Sequence, residues 1–206
     1  MKRIVLATIG SLGDLHPLIA VGLALKAQGA QAVLAVAADQ TDKVRRAGLE
    51  AVAIFPSYAE LEQRCGFSSA DIARLTRDPH HLFRRILLPN LAASTEALDA
   101  AAEGADAIVS PVHAVVGGLV AEKRRLPFIP CLLQPLALLS AFDPPMLPEF
   151  AGLVRPRASP AGQAFNRLAM SASRAELRRR YSGPVDAVRK QHGLPPAGPP
   201  ALFGLE

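Results

Sequence analysis

Short apolar runs alternate along the first two thirds of the chain with stretches whose apolar residues recur at helical spacing. The apolar runs predict strands buried in a covered sheet, and the stretches between them predict helices. The predicted strands are Arg3–Thr8, Ala32–Ala37, Glu50–Phe55, Asp106–Ser110 and Pro127–Leu132. The predicted helices are Pro17–Gln28, Thr41–Ala47, Asp78–Glu103 and Ala114–Arg125, with Asp39 as a cap before the second and a kink or break at Pro89 in the third.

This alternation indicates βαβ units and therefore an α/β fold. We expect a doubly wound, mainly parallel, Rossmann-like sheet with helices on both faces. Ligands of such sheets bind beyond the carboxyl ends of the strands. Functional side chains are therefore expected in the loops 9–16, 37–40, 55–60, 110–113 and 133–150.

The last third of the chain has a different pattern. Five prolines between Phe142 and Pro160 predict a long, extended surface loop, and two helices are predicted after it, near Ala161–Tyr181 and Pro184–His192. Four prolines among the six residues Pro195 to Pro200 are typical of a linker. We therefore expect one domain over residues 1–194, with residues 195–206 as the start of an interdomain linker or an artificial end.

Composition narrows the function classes. Half of the 206 residues are apolar, which favours a packed core over disorder. No apolar run reaches the roughly 18 residues that a membrane span needs, and the N-terminus has no signal-cleavage pattern. The two cysteines are far apart and the five histidines are scattered. The expectation is a reduced, cytoplasmic protein without a metal or another cofactor.

The net charge of +5 is concentrated in one segment. Between Arg155 and Lys190 there are nine basic and two acidic residues, so this segment carries +7 and the remainder −2. A solvated helix face is the ordinary interpretation. A sharper one is attraction to an anionic ligand or to the inner face of a membrane, through Arg178, Arg179 and Arg180. Nucleic acid is not expected, because the segment has few aromatic residues and no recognised binding motif.

The loop IGSLGDLHP, which follows the first predicted strand, is the main candidate for chemistry. It lacks the lysine of a Walker A motif and the three glycines of a dinucleotide-binding turn. Its spacing favours Asp14 as the N-cap of the next helix, but a carboxylate here is also placed to act as a general base. His16 is either a ligand contact or a polar residue of the first helical turn.

The sequence around this loop resembles a known family. IGSLGDLHPLIAVGLALKAQGAQAVLAV, followed by VRRAGLEAVAI, resembles the N-terminal signature of GT-B glycosyltransferases with a G-[ST]-x-G-D-x-x-P loop, which act on sterols, antibiotic aglycones and rhamnolipid precursors. DAIVSPVHAVVGGLVAEKRRLPFIPCLLQP is similar to the fourth strand, helix and fifth strand of that family. LLSAFDPPMLPEF and AVRKQHGL resemble the rhamnosyltransferase of rhamnolipid synthesis.

The resemblance implies one half of a GT-B architecture, the N-terminal domain that binds the acceptor. The implied reaction is an inverting, metal-independent transfer of a sugar from a nucleotide-sugar to a hydroxyl of an apolar acceptor, such as a lipid, sterol or polyketide. The His/Gly-rich loop of the donor domain does not occur in these 206 residues, so this half is expected to be inactive alone. Two alternatives stay open: a non-catalytic acceptor-binding subunit of a split transferase, and half of a sugar-nucleotide epimerase.

The resemblance also implies roles for individual residues. Asp14 takes the position of the catalytic base. Plant-type relatives have a histidine there, paired with an aspartate after the fourth strand; the corresponding Ser110 to His113 holds no acid, so we expect Asp14 to act without such a dyad. The implied acceptor-binding residues are Gly10, Ser11, Gly13, His16, His113 and Gln134. Apolar residues of the 133–160 loop, Leu136 and Leu139 among them, are further candidates for the acceptor site.

Overall fold

The computed structural model of the chain describes residues 1–66, 79–133, 140–144 and 159–197. The chain divides into two compact units, Met1–Ile129 and Pro130–Glu206. The first unit holds nearly all of the sheet and the loop IGSLGDLHP.

A five-stranded sheet forms the core of the first unit. Its strands are β1 (Arg3–Ala7), β2 (Gln31–Ala37), β3 (Glu50–Phe55), β4 (Ala107–Pro111) and β5 (Phe128–Cys131), in the spatial order β3-β2-β1-β4-β5. β1 runs parallel to both β2 and β4, and β2 runs parallel to β3. Val5, at the centre of β1, pairs with Val33 and Ile108, and all three side chains are fully buried. The predicted α/β, doubly wound, mainly parallel fold is confirmed.

Helices connect these strands. They are α1 (Leu12–Ala27), a 3₁₀ turn (Ala38–Gln40), α2 (Thr41–Arg46), α3 (Tyr58–Cys65), α4 (Pro79–Leu82), α5 (Leu88–Ala101) and α6 (Val115–Arg124). A π-helical segment, Phe83–Leu87, joins α4 to α5. Pro89, where a kink or break was predicted, is the second residue of α5; the chain stays helical there and changes only from the π-helical segment to the α-helix.

Two predictions of helix starts were wrong. α1 begins five residues before Pro17, because the extended backbone of Ser11 and the side chain of Ser11 form the N-cap. Asp39 does not cap α2, since the 3₁₀ turn lies between β2 and that helix. Its Oδ2 instead accepts a hydrogen bond from the backbone N–H of Tyr58, at 3.3 Å.

Close packing fixes α5 and α6 on the sheet. A Cβ at Gly117 of α6 would lie 2.6 Å from the Cβ of the fully buried Ser110 on β4, so only glycine allows this approach. Asp99 of α5 accepts hydrogen bonds from Lys123 Nζ at 2.7 Å and from Arg124 Nε at 2.5 Å. The short loop between β4 and α6 is therefore held between two anchored elements.

The second unit contains one long helix, α7 (Pro160–Gln191), where two helices were predicted. Pro184 lies inside it. Tyr181, Val185 and Val188 are buried at spacings of four and three residues, so one face remains packed across the proline and keeps the helix continuous. Within this unit, Arg189 Nε donates to the carbonyl of Pro195 at 2.7 Å, which ties the start of the proline-rich segment to α7.

No helix among the described residues is both long and apolar enough to cross a membrane.

Candidate functional site

Polar side chains follow four strand ends at the carboxyl edge of the sheet in the first unit. Asp14 follows β1, Gln40 follows β2, Tyr58 follows β3 and His113 follows β4. This convergence follows from the strand order, because β1 lies between β2 and β4.

Asp14 is the third residue of α1 and closes a capping box with Ser11. Its Oδ2 accepts a hydrogen bond from the backbone N–H of Ser11 at 2.9 Å, and the Ser11 hydroxyl lies 3.4 Å from the same oxygen. The prediction that Asp14 is the N-cap was therefore wrong. Ser11 is the N-cap, and Asp14 is the third helical residue, whose side chain bonds back to Ser11. Because one carboxylate oxygen serves the cap, the orientation of the other is fixed.

Gly10 makes room for that carboxylate. A Cβ at Gly10 would lie 2.5 Å from Asp14 Cγ and would collide with Asp14 Oδ2. The backbone of Gly10 is held on both sides, since its N–H donates to Thr8 Oγ1 at 3.2 Å and its carbonyl accepts from Gln40 Nε2 at 3.0 Å. Gly13 is not crowded in this way: the nearest atom to a Cβ there is the Ser11 hydroxyl oxygen at 3.5 Å.

His113 lies beside the remaining oxygen of Asp14. Its Nε2 is 3.8 Å from Asp14 Oδ1, close enough for an ion pair but too long for a hydrogen bond. The Asp14 side chain is 11% exposed and that of His113 42%. Burial lowers the pKa of His113, and the neighbouring Asp14 carboxylate offsets part of that effect. The lowered pKa favours the neutral imidazole.

This contact was not anticipated from the sequence. We expected no His–Asp pair because the loop after β4 contains no acid. The structure forms such a pair with the two residue types exchanged, the acid from the β1 loop and the histidine from the β4 loop. The signal was present in the sequence, since both residues lie at carboxyl ends of adjacent parallel strands.

Tyr58 is a further residue of this edge that the sequence reasoning missed. Burial raises the pKa of its hydroxyl, and the nearby carboxylates of Asp39 and Asp14 raise it further. The hydroxyl therefore stays protonated and can act as a hydrogen-bond donor. Its position in the 55–60 loop, just after β3, was the available signal.

The other predicted acceptor-binding residues are placed differently. Ser11, Gly13 and His16 are exposed at the start of α1. His16 is two residues from Asp14, so the two side chains leave different faces of the helix and do not meet. Gln134 and the apolar candidates Leu136 and Leu139 lie outside the described residues.

An apolar pocket opens next to His113. Its cavity volume is about 10 Å³, which is room for about one water molecule, and it is partly open to solvent. Two polar residues, His113 and Ser94, line it together with the carbon side chains of Ile9, Phe55, Phe83, Leu87, Leu88, Leu91, Val115 and Val116. Phe83 and Leu87 come from the π-helical segment, a conformation that is frequent at functional sites. The site thus combines a carboxylate, a neutral imidazole and an apolar cavity.

Comparisons with known proteins agree with this architecture. No protein-family model matches the chain. Glycosyltransferase GtfE of Amycolatopsis orientalis is 29% identical over 199 residues, which is 94% of this chain and 44% of the relative. Vancomycin aglycone glucosyltransferase of the same organism is 26% identical over 208 residues, 98% of this chain and 46% of the relative. The chain spans about half the length of the curated relatives it matches.

Among solved structures, the glycosyltransferase SsfS6 of Streptomyces sp. SF2575, complexed with thymidine diphosphate, matches with a TM-score of 0.56. The identity is 18%, and the match covers 97% of this chain and 47% of that one. The relatives are thus glycosyltransferases, as the resemblance implied, and the chain shares the Rossmann-like fold of one half of the GT-B architecture.

Gly10→Ala is expected to destabilise the chain by about 1–3 kcal/mol, because the new methyl group displaces the Asp14 carboxylate and breaks the capping box. Gly13→Ala is the matched control from the same loop, with a change within about 0.5 kcal/mol. Urea unfolding measures both. In the double variant Gly10→Ala/Asp14→Ala the effects should be less than additive; strict additivity would contradict the steric explanation.

Asp14→Asn is expected to lower the pKa of His113 further, because the favourable carboxylate charge is lost. NMR titration of the imidazole Cε1–H signal measures this pKa. Since the folded pKa lies below the unfolded one, the unfolded chain binds more protons between them. His113 therefore contributes stability above its unfolded pKa, and that contribution is lost as pH falls through the folded pKa. An unchanged pKa in Asp14→Asn would show that the two groups do not interact.

Proposed function

We propose that this chain is the acceptor-binding half of a glycosyltransferase that transfers a sugar from a nucleotide-sugar to a hydroxyl of an apolar acceptor. One observation carries this proposal: the fixed carboxylate of Asp14 lies at the carboxyl edge of the sheet, with His113 between it and an apolar pocket. The glycosyltransferase relatives support the reaction class.

In the proposed reaction Asp14 is the general base. The acceptor's apolar body lies against the apolar side chains beside His113, and its hydroxyl reaches Asp14 Oδ1, the oxygen that faces His113. That oxygen takes the hydroxyl proton as the hydroxyl oxygen bonds to the anomeric carbon. The bond from this carbon to the nucleoside diphosphate breaks, and the configuration inverts. Positioned bases of this kind contribute about 10²–10⁴-fold to a rate.

The lowered pKa of His113, which favours its neutral form, suits this reaction. A protonated imidazole would hold Asp14 in an ion pair and weaken it as a base, whereas a neutral one leaves the carboxylate available. His113 Nε2, 3.8 Å from Oδ1, is also near enough to bind the acceptor oxygen when that oxygen lies between them. Gly10, Ser11 and Gly13 shape the same loop, and Gly10 does so through its direct approach to Asp14. His16 and Gln134 remain proposed contacts from the resemblance alone.

The donor nucleotide is proposed to bind on a second domain. The relatives are about twice as long as this chain, and the structure of SsfS6 holds thymidine diphosphate. We assign residues 1–194 to the acceptor domain and residues 195–206 to the beginning of the linker. The proposal that the transfer needs no metal rests on the resemblance alone.

In an enzyme that joins this chain to a donor-binding domain, as proposed, Asp14→Asn is expected to lower kcat by about 10²–10⁴-fold. Affinity for the acceptor should change little, since asparagine can still accept the Ser11 hydrogen bond. Sugar transfer to hydroxylated lipids and aglycones, followed by chromatography, measures the rate, and calorimetry measures the affinity. Asp42→Asn on the exposed face of α2 is the matched control. Normal turnover in Asp14→Asn would refute the assignment of the base.

The basic segment is proposed to hold the protein at the anionic inner face of a membrane, where a lipid acceptor resides. Arg178, Arg179 and Arg180 are exposed on α7. Glu176 accepts hydrogen bonds from Arg179 and Arg180, which lower its pKa to about 2. It therefore stays ionised and cancels one of the three positive charges.

Reversal of the three arginines to glutamate is expected to abolish co-sedimentation with phosphatidylserine vesicles, because each basic residue near such a surface contributes about 1 kcal/mol. Reversal of Lys43, Arg45 and Arg46 on α2 changes the net charge equally and is the control. Equal vesicle binding by the α7 variant and the unmodified chain would exclude this contact.

A further inference from the structure

Gln40 is a buried amide that holds the loop of Asp14 from the neighbouring strand end. It is the last residue of the 3₁₀ turn after β2 and is 6% exposed. Its Nε2 donates a hydrogen bond to the backbone carbonyl of Gly10 at 3.0 Å. The backbone N–H of Thr8 still bonds to the carbonyl of Ala35 on β2, at 2.9 Å, but Gly10 lies two residues farther on. Gln40 therefore reaches the loop beyond the paired part of the strands.

The other end of the same amide has no such bond. Gln40 Oε1 is buried and has no hydrogen-bond partner among the residues that the structure describes. A buried polar atom without a partner is destabilising, and the amide cannot turn over to relieve this. In the turned orientation an oxygen would face the carbonyl of Gly10, which can only accept. The hydrogen bond of Nε2 and the unpaired Oε1 oppose each other in free energy, so the main effect of Gln40 is to fix the position of Gly10.

Gly10 passes this constraint to the carboxylate of Asp14. The two residues are so close that a Cβ at Gly10 would lie 2.5 Å from Asp14 Cγ. The N–H that Asp14 Oδ2 accepts belongs to Ser11, the residue directly after Gly10. A shift of Gly10 therefore moves both the surface that the carboxylate packs on and the donor that it bonds. It would also change the distance from Asp14 Oδ1 to His113 Nε2, which is 3.8 Å.

The turn that carries Gln40 is itself anchored. The hydroxyl of Thr41 donates to the carbonyl of Ala38 at 2.8 Å and closes the turn. Asp39 Oδ2 accepts the backbone N–H of Tyr58, the first residue of α3, at 3.3 Å. The turn after β2 is thus bonded to the segment after β3 on one side and to the Asp14 loop on the other. Gln40 is held firmly enough to hold Gly10 in turn.

We propose that Gln40 is a positioning residue, which sets the direction of Asp14 Oδ1 through the carbonyl of Gly10. This inference rests on the proposed function, in which Oδ1 is the general base. Proton transfer needs the base within hydrogen-bond reach of the acceptor hydroxyl, and a displacement of about 1 Å is enough to impair such a geometry. Gln40 itself takes no part in the proton transfer.

The test uses the 206-residue chain and detects the position of Asp14 by its charge effect on His113. Gln40→Met removes the donor and keeps the length of the side chain. The pKa of His113, measured by NMR titration of the imidazole Cε1–H signal, is expected to fall part of the way to its value in Asp14→Asn. The reason is that the carboxylate, which raises this pKa, is no longer held beside the imidazole.

A double-mutant cycle shows whether the effect passes through Asp14. In Gln40→Met/Asp14→Asn the pKa of His113 should equal that of Asp14→Asn alone, because the charge whose position Gln40 controls is already absent. An equal fall with and without the Asp14 carboxylate would overturn the proposal, since Gln40 would then act on His113 by another route. An unchanged pKa in Gln40→Met would overturn it as well.

Two variants of β2 are the controls. Gln31→Met removes a glutamine at the opposite end of the strand, whose Nε2 donates to Glu50 Oε2 at 3.1 Å on the exposed surface. Val33→Ala removes part of a fully buried core side chain and lowers the free energy of unfolding. Both should leave the pKa of His113 unchanged. The melting temperature of Gln40→Met should change little, because the variant loses one hydrogen bond and one unpaired buried oxygen together.

A crystal structure of Gln40→Met is the second measurement, and it is independent of the titration. Asp14 Oδ1 is expected to move relative to His113 Nε2, and an Oδ1 that keeps its place would overturn the proposal whatever the pKa values are. Failure of the proposed function has a different signature. If Gln40→Met displaces Asp14 but the joined enzyme with Asp14→Asn turns over normally, Gln40 positions Asp14 and Asp14 is not the base.

Discussion

The two carboxylate oxygens of Asp14 have different partners, and the geometry of the site depends on this difference. Oδ2 accepts a hydrogen bond from the backbone N–H of Ser11 and closes the first turn of α1. A helix start otherwise leaves such N–H groups unpaired. Oδ1 is thereby directed towards His113. The hydrogen bond that caps the start of α1 thus also orients a carboxylate at the edge where ligands of α/β sheets bind. The same side chain demands glycine at position 10, so it fixes two other residues of the loop, Gly10 and Ser11.

The strand order of the sheet brings residues from other loops to the loop that carries Asp14. Because β1 lies between β2 and β4, the loops that follow these three strands are neighbours at one edge. Gln40, after β2, holds the carbonyl of Gly10 from one side, and His113, after β4, faces Asp14 from the other. The packing of Gly117 against Ser110 keeps the β4 loop in place. The pocket then extends from His113 between the sheet, the π-helical segment and α5 and α6.

Features encoded by local pattern were predictable, and features that depend on tertiary contacts were not. The strands were predicted to within one or two residues, since buried parallel strands are continuous apolar runs. The start of α1 was misplaced because proline was taken as the first-turn signal, although Ser11 and Asp14 together have the capping-box spacing. The single helix α7 was divided at Pro184, because burial of Tyr181 and Val185 on one face is invisible in the local sequence. The approach of His113 and Tyr58 to Asp14, and the hydrogen bond from Gln40 to Gly10, arise from residues distant in sequence.

The π-helical segment allows the wall of the pocket to change without a change at Asp14. A π turn contains one residue more than an α turn, so it is the place where a helix absorbs an insertion. Loss of one residue between Phe83 and Leu87 would turn the preceding side chains by about 100° relative to α5. Phe83 would then leave the cavity wall, while the sheet, the capping box and Asp14 would keep their positions. A lineage could thus exchange one cavity shape for another through a single codon deletion, with the reaction centre untouched.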